Sequence, residues 1–347
     1  MPVTVIVGGQ FGSEGKGKVA HYFAKEKRAA VAIRVGGSNS GHTVIDSSGE
    51  PRIFRVLPTA AILNDIVCVL GAGSYIDVDI LLQEVEIAHL PPDRLMIDPN
   101  AYIIAEEHKH KEREWDLGKR IGSTQSGTGA AVVERIRRQS TRNLAQNDAK
   151  LSPFVEPVRA FLRSQLQLGE HIILEGTQGF GLSALHSPHY PKATSRDTTA
   201  ATFVGEAGLS PLDVDDVVLV TRAFPIRVAG NSGPLPREID WETVSREGGW
   251  ETPLVEHTSV TKRLRRVARF DAAIVQDAIL ANAPTQIVLN HVDFFDAQSL
   301  HEGRIRKKVE NEIIRIEETL GRKFDLIGLG PDIIRFRETV FNRLAAA

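Results

Sequence analysis

The chain has 347 residues, 42% of them apolar and 25% charged, with a net charge of −2 at pH 7. That balance predicts a globular protein with an ample core and argues against a broad nucleic-acid surface. The single cysteine, Cys68, excludes an internal disulfide framework and a cysteine-based metal cluster; with no membrane-length apolar run and no signal-peptide pattern, a cytoplasmic, membrane-free protein is expected.

The β-branched run 3–7 predicts a first strand, and residues 19–24 can continue as a helix. Between them lies Gly8-Gly9-Gln10-Phe11-Gly12-Ser13-Glu14-Gly15-Lys16-Gly17-Lys18. A strand, a glycine-rich loop and a helix in that order aim unpaired N–H groups at one point, and Lys16 and Lys18 add positive charge. A bound polyphosphate is expected. The loop departs from the P-loop pattern, with one residue more between Gly9 and Gly15 and with Gly17 where a Ser or Thr should hold Mg²⁺.

Further strand-length apolar runs occupy residues 30–35, 66–70, 172–174, 217–220, 287–289 and 326–329. Cys68 sits inside one of them and reads as a buried structural thiol. Phe154, Val158, Phe161, Leu162 and Leu166 keep a helical spacing that stops at Gly169, as do Val309, Ile313, Ile316 and Leu320 before Gly321. The alternation predicts an α/β fold with a mostly parallel central sheet, helices on both faces, and a site at the carboxyl ends of the strands. Residues 139–150 and 230–236 read as surface loops within a single domain spanning 1–347.

Polar glycine-and-hydroxyl loops follow several of these strands, at residues 36–43, 122–129, 175–179 and 194–199. Four such loops suggest a phosphorylated substrate beside a nucleotide. His42 lies in one of them and is catalytic or structural; it has no HxH or HxxxH companion, which argues against zinc. Asn290-His291-Val292-Asp293 is either a polar strand end or a relative of the Asn-Lys-x-Asp loop with which GTPases read guanine, with His291 in place of the lysine. The basic cluster Lys262-Arg263-Leu264-Arg265-Arg266 needs a local explanation.

Together these stretches resemble the adenylosuccinate synthetase family nearly end to end. The landmarks are 12–18, Gly41-His42-Thr43, Ile121-Gly122-Ser123-Thr124, Glu175-Gly176-Thr177-Gln178-Gly179, Thr198-Thr199, 261–266 and Gly330-Pro331-Asp332. The resemblance implies the adenylosuccinate synthetase fold, P-loop-like and GTPase-related. It also implies a ligase that phosphorylates O6 of a purine monophosphate with GTP and Mg²⁺, then lets the aspartate amine displace phosphate at C6. Carried over by position, Ser13, Lys16 and His42 are catalytic. Ser13, Glu14, Gly15, Lys16, Gly17, Gly41, His42 and Thr43 surround the phosphates, with Ser13 and Gly41 on Mg²⁺. Asn290, His291, Asp293, Gly328 and Gly330 meet the nucleotide base. Ser13, Asn39, Ser123, Thr124, Gln178, Thr194 and Arg263 hold the purine monophosphate, with Arg138 reaching across a homodimer. Val260, Thr261, Arg263 and Arg265 take L-aspartate, which accounts for the basic cluster without nucleic acid.

The departures point further. The family has an aspartate at position 13 that removes the purine N1 proton, and a serine hydroxyl cannot do so at neutral pH. A bacteriophage branch, the 2-aminoadenylosuccinate synthetases, resembles this chain in that serine and in its short length. The branch implies dGMP as substrate, ATP or dATP as donor, and a precursor of diaminopurine (2-aminoadenine) DNA as product. A small serine leaves room for the 2-amino group and can accept its hydrogen bond. His291 weakens the case for GTP, and Lys262 stands where the family has glycine. An ordinary IMP- and GTP-dependent synthetase, or a non-catalytic nucleotide-binding relative, are the alternatives.

Overall fold

The computed structural model describes residues 2–258, 262–302 and 305–342. Among them, nine strands form one sheet: Val3–Gly8 (β1), Val31–Arg34 (β2), Val67–Leu70 (β3), Leu95–Ile97 (β4), Ile172–Glu175 (β5), Val214–Arg222 (β6), Gln286–Asn290 (β7), Leu326–Leu329 (β8) and Ile333–Phe336 (β9). Their spatial order is β9-β8-β7-β6-β1-β5-β2-β3-β4. Every neighbouring pair is parallel except β8 with β9.

Strands covered on both faces read as continuous apolar runs, which is why most of them are visible in the sequence. All six positions of β1 are buried. Val3, Val5 and Val7 pack on one face with Phe203 and Val204 of the helix Ala200–Ala207 and with Val275 of the helix Ala272–Asn282. Ile6 points the other way, into a cluster with Val19, Ala20 and Phe23 of the helix Lys16–Glu26 (α1). Helices therefore cover both faces. Cys68 is fully buried, and burial pushes its thiol up to about 12, so it is a core residue. No helix among the described residues is long and apolar enough to cross a membrane.

Two strands of this sheet have no counterpart in the sequence reading. β4 has only three residues, and β9 is an edge strand with a single buried residue, Ile334, so neither carries a periodic signal. Phe154 also departs from expectation. It lies in a 3₁₀ turn, Ser152–Phe154, and the helix Val158–Gln167 begins only after Pro157, which supplies its N-cap.

Candidate active site

β1 lies at the centre of the sheet, and the loop that follows it is closed by its own side chain. Glu14, fully buried, accepts from the backbone N–H groups of Gln10 (3.1 Å) and Gly12 (2.8 Å) through Oε1. Its Oε2 accepts from Lys16 Nζ at 2.7 Å. Glu14 was expected at the phosphates, but its carboxylate is turned into the loop, where it places the Lys16 ammonium. Ser13 adopts φ 57° and Gly15 φ 88°, and α1 starts at Lys16. Two of the loop's glycines, one of them the departure at position 17, have a steric cause. A Cβ on Gly15 would lie 2.7 Å from Asn290 Nδ2, and one on Gly17 would lie 2.9 Å from His42 Cβ. Glycine at 17 lets the hairpin formed by His42–Ile45 and Pro51–Phe54 approach the helix.

His42 is buried, and its Nδ1 bonds to Glu175 Oε1 at the end of β5. Arg34 ends β2 directly beside Glu175 in the parallel register and donates to the same oxygen at 3.1 Å. Glu175 Oε2 accepts from the Thr59 N–H and hydroxyl, both at 2.8 Å. Burial would push Glu175 up, but the His42 bond and Arg34 outweigh it and hold the carboxyl down. His42 is held below its ordinary range by burial first, then by Arg34. Nδ1 is thus committed to Glu175, and any exchange with substrate runs through Nε2.

A second group gathers at the ends of β7 and β8. Asn290 Nδ2 donates to the Glu14 carbonyl at 2.8 Å, and Asp293 Oδ1 accepts from the Gly330 N–H at 2.9 Å. Lys18 Nζ donates to the Gly330 carbonyl at 3.0 Å. A Cβ on Gly328 would fall 1.9 Å from Asn290 Oδ1. His291 is in the left-handed region (φ 58°), and burial holds it well below its ordinary value. Asn290 and Gly330 thus bond the phosphate-loop segment directly, and Asp293 and Gly328 pack against them.

One cleft runs past these strand ends. Ser13, Asn39, Gly41, Ser123, Thr124, Gln178, Thr194 and Arg265, drawn from six segments, line it together. The lining also holds Glu112, but both of its oxygens accept backbone N–H groups, from Gly127 and from Gly129. Two residues expected at this chain's own site, Thr43 and Arg263, stand outside the cleft lining. Thr43 is exposed on the hairpin. Arg263 is exposed, outside the cleft lining, with its N–H on Thr258 Oγ1. Arg138 lies away on the surface beside Tyr102 and Thr141, where its Nε donates to the Ile136 carbonyl. Val260 and Thr261 fall outside the described residues.

Arg34, Glu175, Arg222 and Glu256 were given no role from sequence. Arg222, 1% exposed at the end of β6, donates to the Ser13 carbonyl at 3.0 Å. Glu175 was visible as part of a polar loop; the signal for a role would have been a carboxylate closing an apolar strand.

The family model for adenylosuccinate synthetase matches residues 5–146 and 141–305. This chain belongs to the adenylosuccinate synthetase family. It is 37% identical over 340 residues to the enzyme of Methanococcus aeolicus, covering 96% of this chain and 98% of that one. The Methanocaldococcus jannaschii enzyme is 36% identical over 337 residues, covering 95% and 94%. Among solved structures, the succinoaminodeoxyadenylate synthetase of cyanophage S-2L, bound to dGMP and to dATP as an energy donor, superposes with a TM-score of 0.82 at 30% identity, covering 99% and 98%. The fully ligated adenylosuccinate synthetase of Plasmodium falciparum also gives 0.82, at 20% identity over 96% and 98%, which speaks for the shared fold. The chain is thus a purine-nucleotide ligase of this type, in a family that uses a nucleoside triphosphate and Mg²⁺.

Proposed function

We propose that this chain joins L-aspartate to C6 of dGMP with ATP or dATP, giving 2-amino-2′-deoxyadenylosuccinate. The observation that carries the reading is Ser13 in the cleft lining, where among the described residues the one carboxylate, Glu112, is committed to backbone N–H groups. An aspartate there would accept both N1–H and the 2-amino group of guanine, stabilising the unreacted lactam and slowing the chemistry. The cyanophage relative with dGMP and dATP bound supports the same substrate pair.

In the first step, O6 takes the γ-phosphoryl group, the N1–H bond breaks with its proton passing to water in the cleft, and the nucleoside diphosphate leaves. In the second, the aspartate nitrogen attacks C6, the C6–O6 bond breaks, and phosphate departs with O6. Lys16, positioned by Glu14, and the loop N–H groups face the transferred group. His42 begins as a neutral imidazole. Negative charge gathering beside it raises its proton affinity, so Nε2 takes a proton from water and donates it toward the oxygen on which charge gathers, while Glu175 stabilises the cation. Asn39, Thr124, Gln178 and Thr194 hold the purine monophosphate, and Arg265 the aspartate carboxylate. Mg²⁺ fits the donors present: Ser13 and Gly41 line one cleft and would hold the ion through hard, neutral oxygens. When bound it neutralises phosphate charge.

Adenine suits the base site better than guanine. His291 stands where guanine-reading loops carry a lysine, and Asp293, which also accepts the Gly330 N–H, keeps acceptor capacity for the 6-amino group of adenine. A homodimer completes the cleft, with Arg138 supplied by the neighbouring chain. The higher identity to archaeal synthetases favours a second reading, IMP as substrate. Phosphate release with ATP, Mg²⁺ and L-aspartate separates the two. Release with dGMP is expected to exceed that with IMP by about tenfold or more. Ser13→Asp, compatible with the left-handed backbone there, should lower dGMP activity by a similar factor. Release with IMP alone would overturn the proposal.

A further inference from the structure

One partly buried carboxylate joins the phosphate loop to the far wall of the cleft. Glu256 Oε2 accepts from Arg265 Nη1 at 3.0 Å and from Arg222 Nη1 at 3.2 Å, while Oε1 bonds to Arg222 Nη2. The backbone repeats the connection, with the Arg265 N–H donating to the Glu256 carbonyl at 2.8 Å.

The two arginines differ in how firmly they are held. Arg222 is anchored on several sides. Its Nη1 donates to the Ser13 carbonyl, its guanidinium lies over the Phe294 ring at 5.8 Å, and its backbone N–H and carbonyl are bracketed by the Gln10 amide. Arg265 lines the cleft, and among the described residues Glu256 is the one side chain that its guanidinium bonds. Its Nε–H is buried without a protein partner among those residues. Burial lowers the proton affinity of Arg265, Glu256 restores it, and Arg222 lowers it again. The last effect is repulsion between two guanidinium groups that share one carboxylate.

We infer that Glu256 is a positioning residue for the amino-acid substrate, holding Arg265 beside Arg222 and tying that carboxylate-binding fork to the Ser13 carbonyl of the phosphate loop. The inference rests on the reading that Arg265 faces L-aspartate. Two effects oppose each other here. The Glu256 charge repels an incoming carboxylate, but it also cancels the repulsion that would drive Arg265 into solvent. Placement wins, because Arg222 is locked and Arg265 has no other side-chain anchor among the described residues, so without Glu256 the fork disperses.

Glu256→Gln tests this, since the amide keeps the shape, loses the charge, and turns a donor toward one arginine. The KM for L-aspartate should rise about tenfold or more, with the purine KM changed by less than about twofold. Glu256→Asp, which keeps the charge at shorter reach, should fall between wild type and the amide. A fall in the aspartate KM would mean that repulsion dominates, and an equal rise in every KM would mean general disorder; either overturns the inference. Phenylglyoxal labelling of Arg265 in the ligand-free protein, read by mass spectrometry, gives a readout that needs no turnover. Labelling should be about fivefold faster in Glu256→Gln, and equal rates overturn the tie. If wild type shows no aspartate-dependent phosphate release, the functional reading fails by itself, and labelling still decides whether Glu256 holds Arg265.

Discussion

Glu175 holds His42 by Nδ1 in a buried pair, and the same carboxylate oxygen carries the guanidinium of Arg34. The sheet brings this about. Arg34 and Glu175 are partners in the register of β2 and β5, and the hairpin carrying His42 folds back over them.

Glu175→Gln should therefore act in two ways. Turnover should fall about a hundredfold, because the amide no longer fixes the tautomer or stabilises the imidazolium. Stability should fall by roughly 3 kcal/mol, because Arg34 is left buried without its counter-ion. Steady-state kinetics with urea denaturation checks both, and the purine KM should stay near wild type.

Gly17→Ser would restore the residue type found in P-loops, yet it should harm this protein. The new Cβ would sit 2.7 Å from Thr59 Cγ2 and 2.9 Å from His42 Cβ. Moving that hairpin should cost about 2 kcal/mol and displace His42, so kcat should drop more than substrate affinity. An active, equally stable Gly17→Ser would show that the hairpin has slack.

Lys18 supplies a pH dependence. Burial lowers it to about 8, against the attraction of Asp293 and Asp332. The unfolded chain therefore binds the proton more tightly than the folded one. The penalty is complete below pH 8 and disappears as pH rises through the unfolded value near 10.4. Between pH 7 and 9.5 the group should add about 2 kcal/mol to stability. Lys18→Met should lack this rise, and urea titrations of both proteins at the two pH values will measure it.

Arg138 does not reach the cleft of its own chain. Arg138→Ala should raise the purine-nucleotide KM about tenfold. Mixing it with His42→Ala chains should restore activity toward about a quarter of wild type, since half of the dimers then pair one doubly altered site with one intact site. No recovery on mixing would refute a shared site.

The sequence by itself determined the elements whose signals are local. Continuous apolar runs marked β1 and its parallel neighbours, because strands buried on both faces leave no room for polar alternation. Glycines and lysines between β1 and α1 marked the phosphate loop, because close backbone approach to an anion needs those residues in that order. Glycine-and-hydroxyl loops brought Ser13, Asn39, Thr124, Gln178 and Thr194 into view, and they do line one cleft, although the loops at 122–129 and 194–199 follow helical turns rather than the strands expected before them. Tertiary structure alone decided the charged pairs that hold this cleft in shape. Arg34 and Glu175 lie 141 positions apart, Arg222 and Ser13 209 apart. Each pair meets only because the strand order sets their strand ends side by side. No local pattern encodes that order, so a buried arginine reads in sequence like any other polar residue closing a strand.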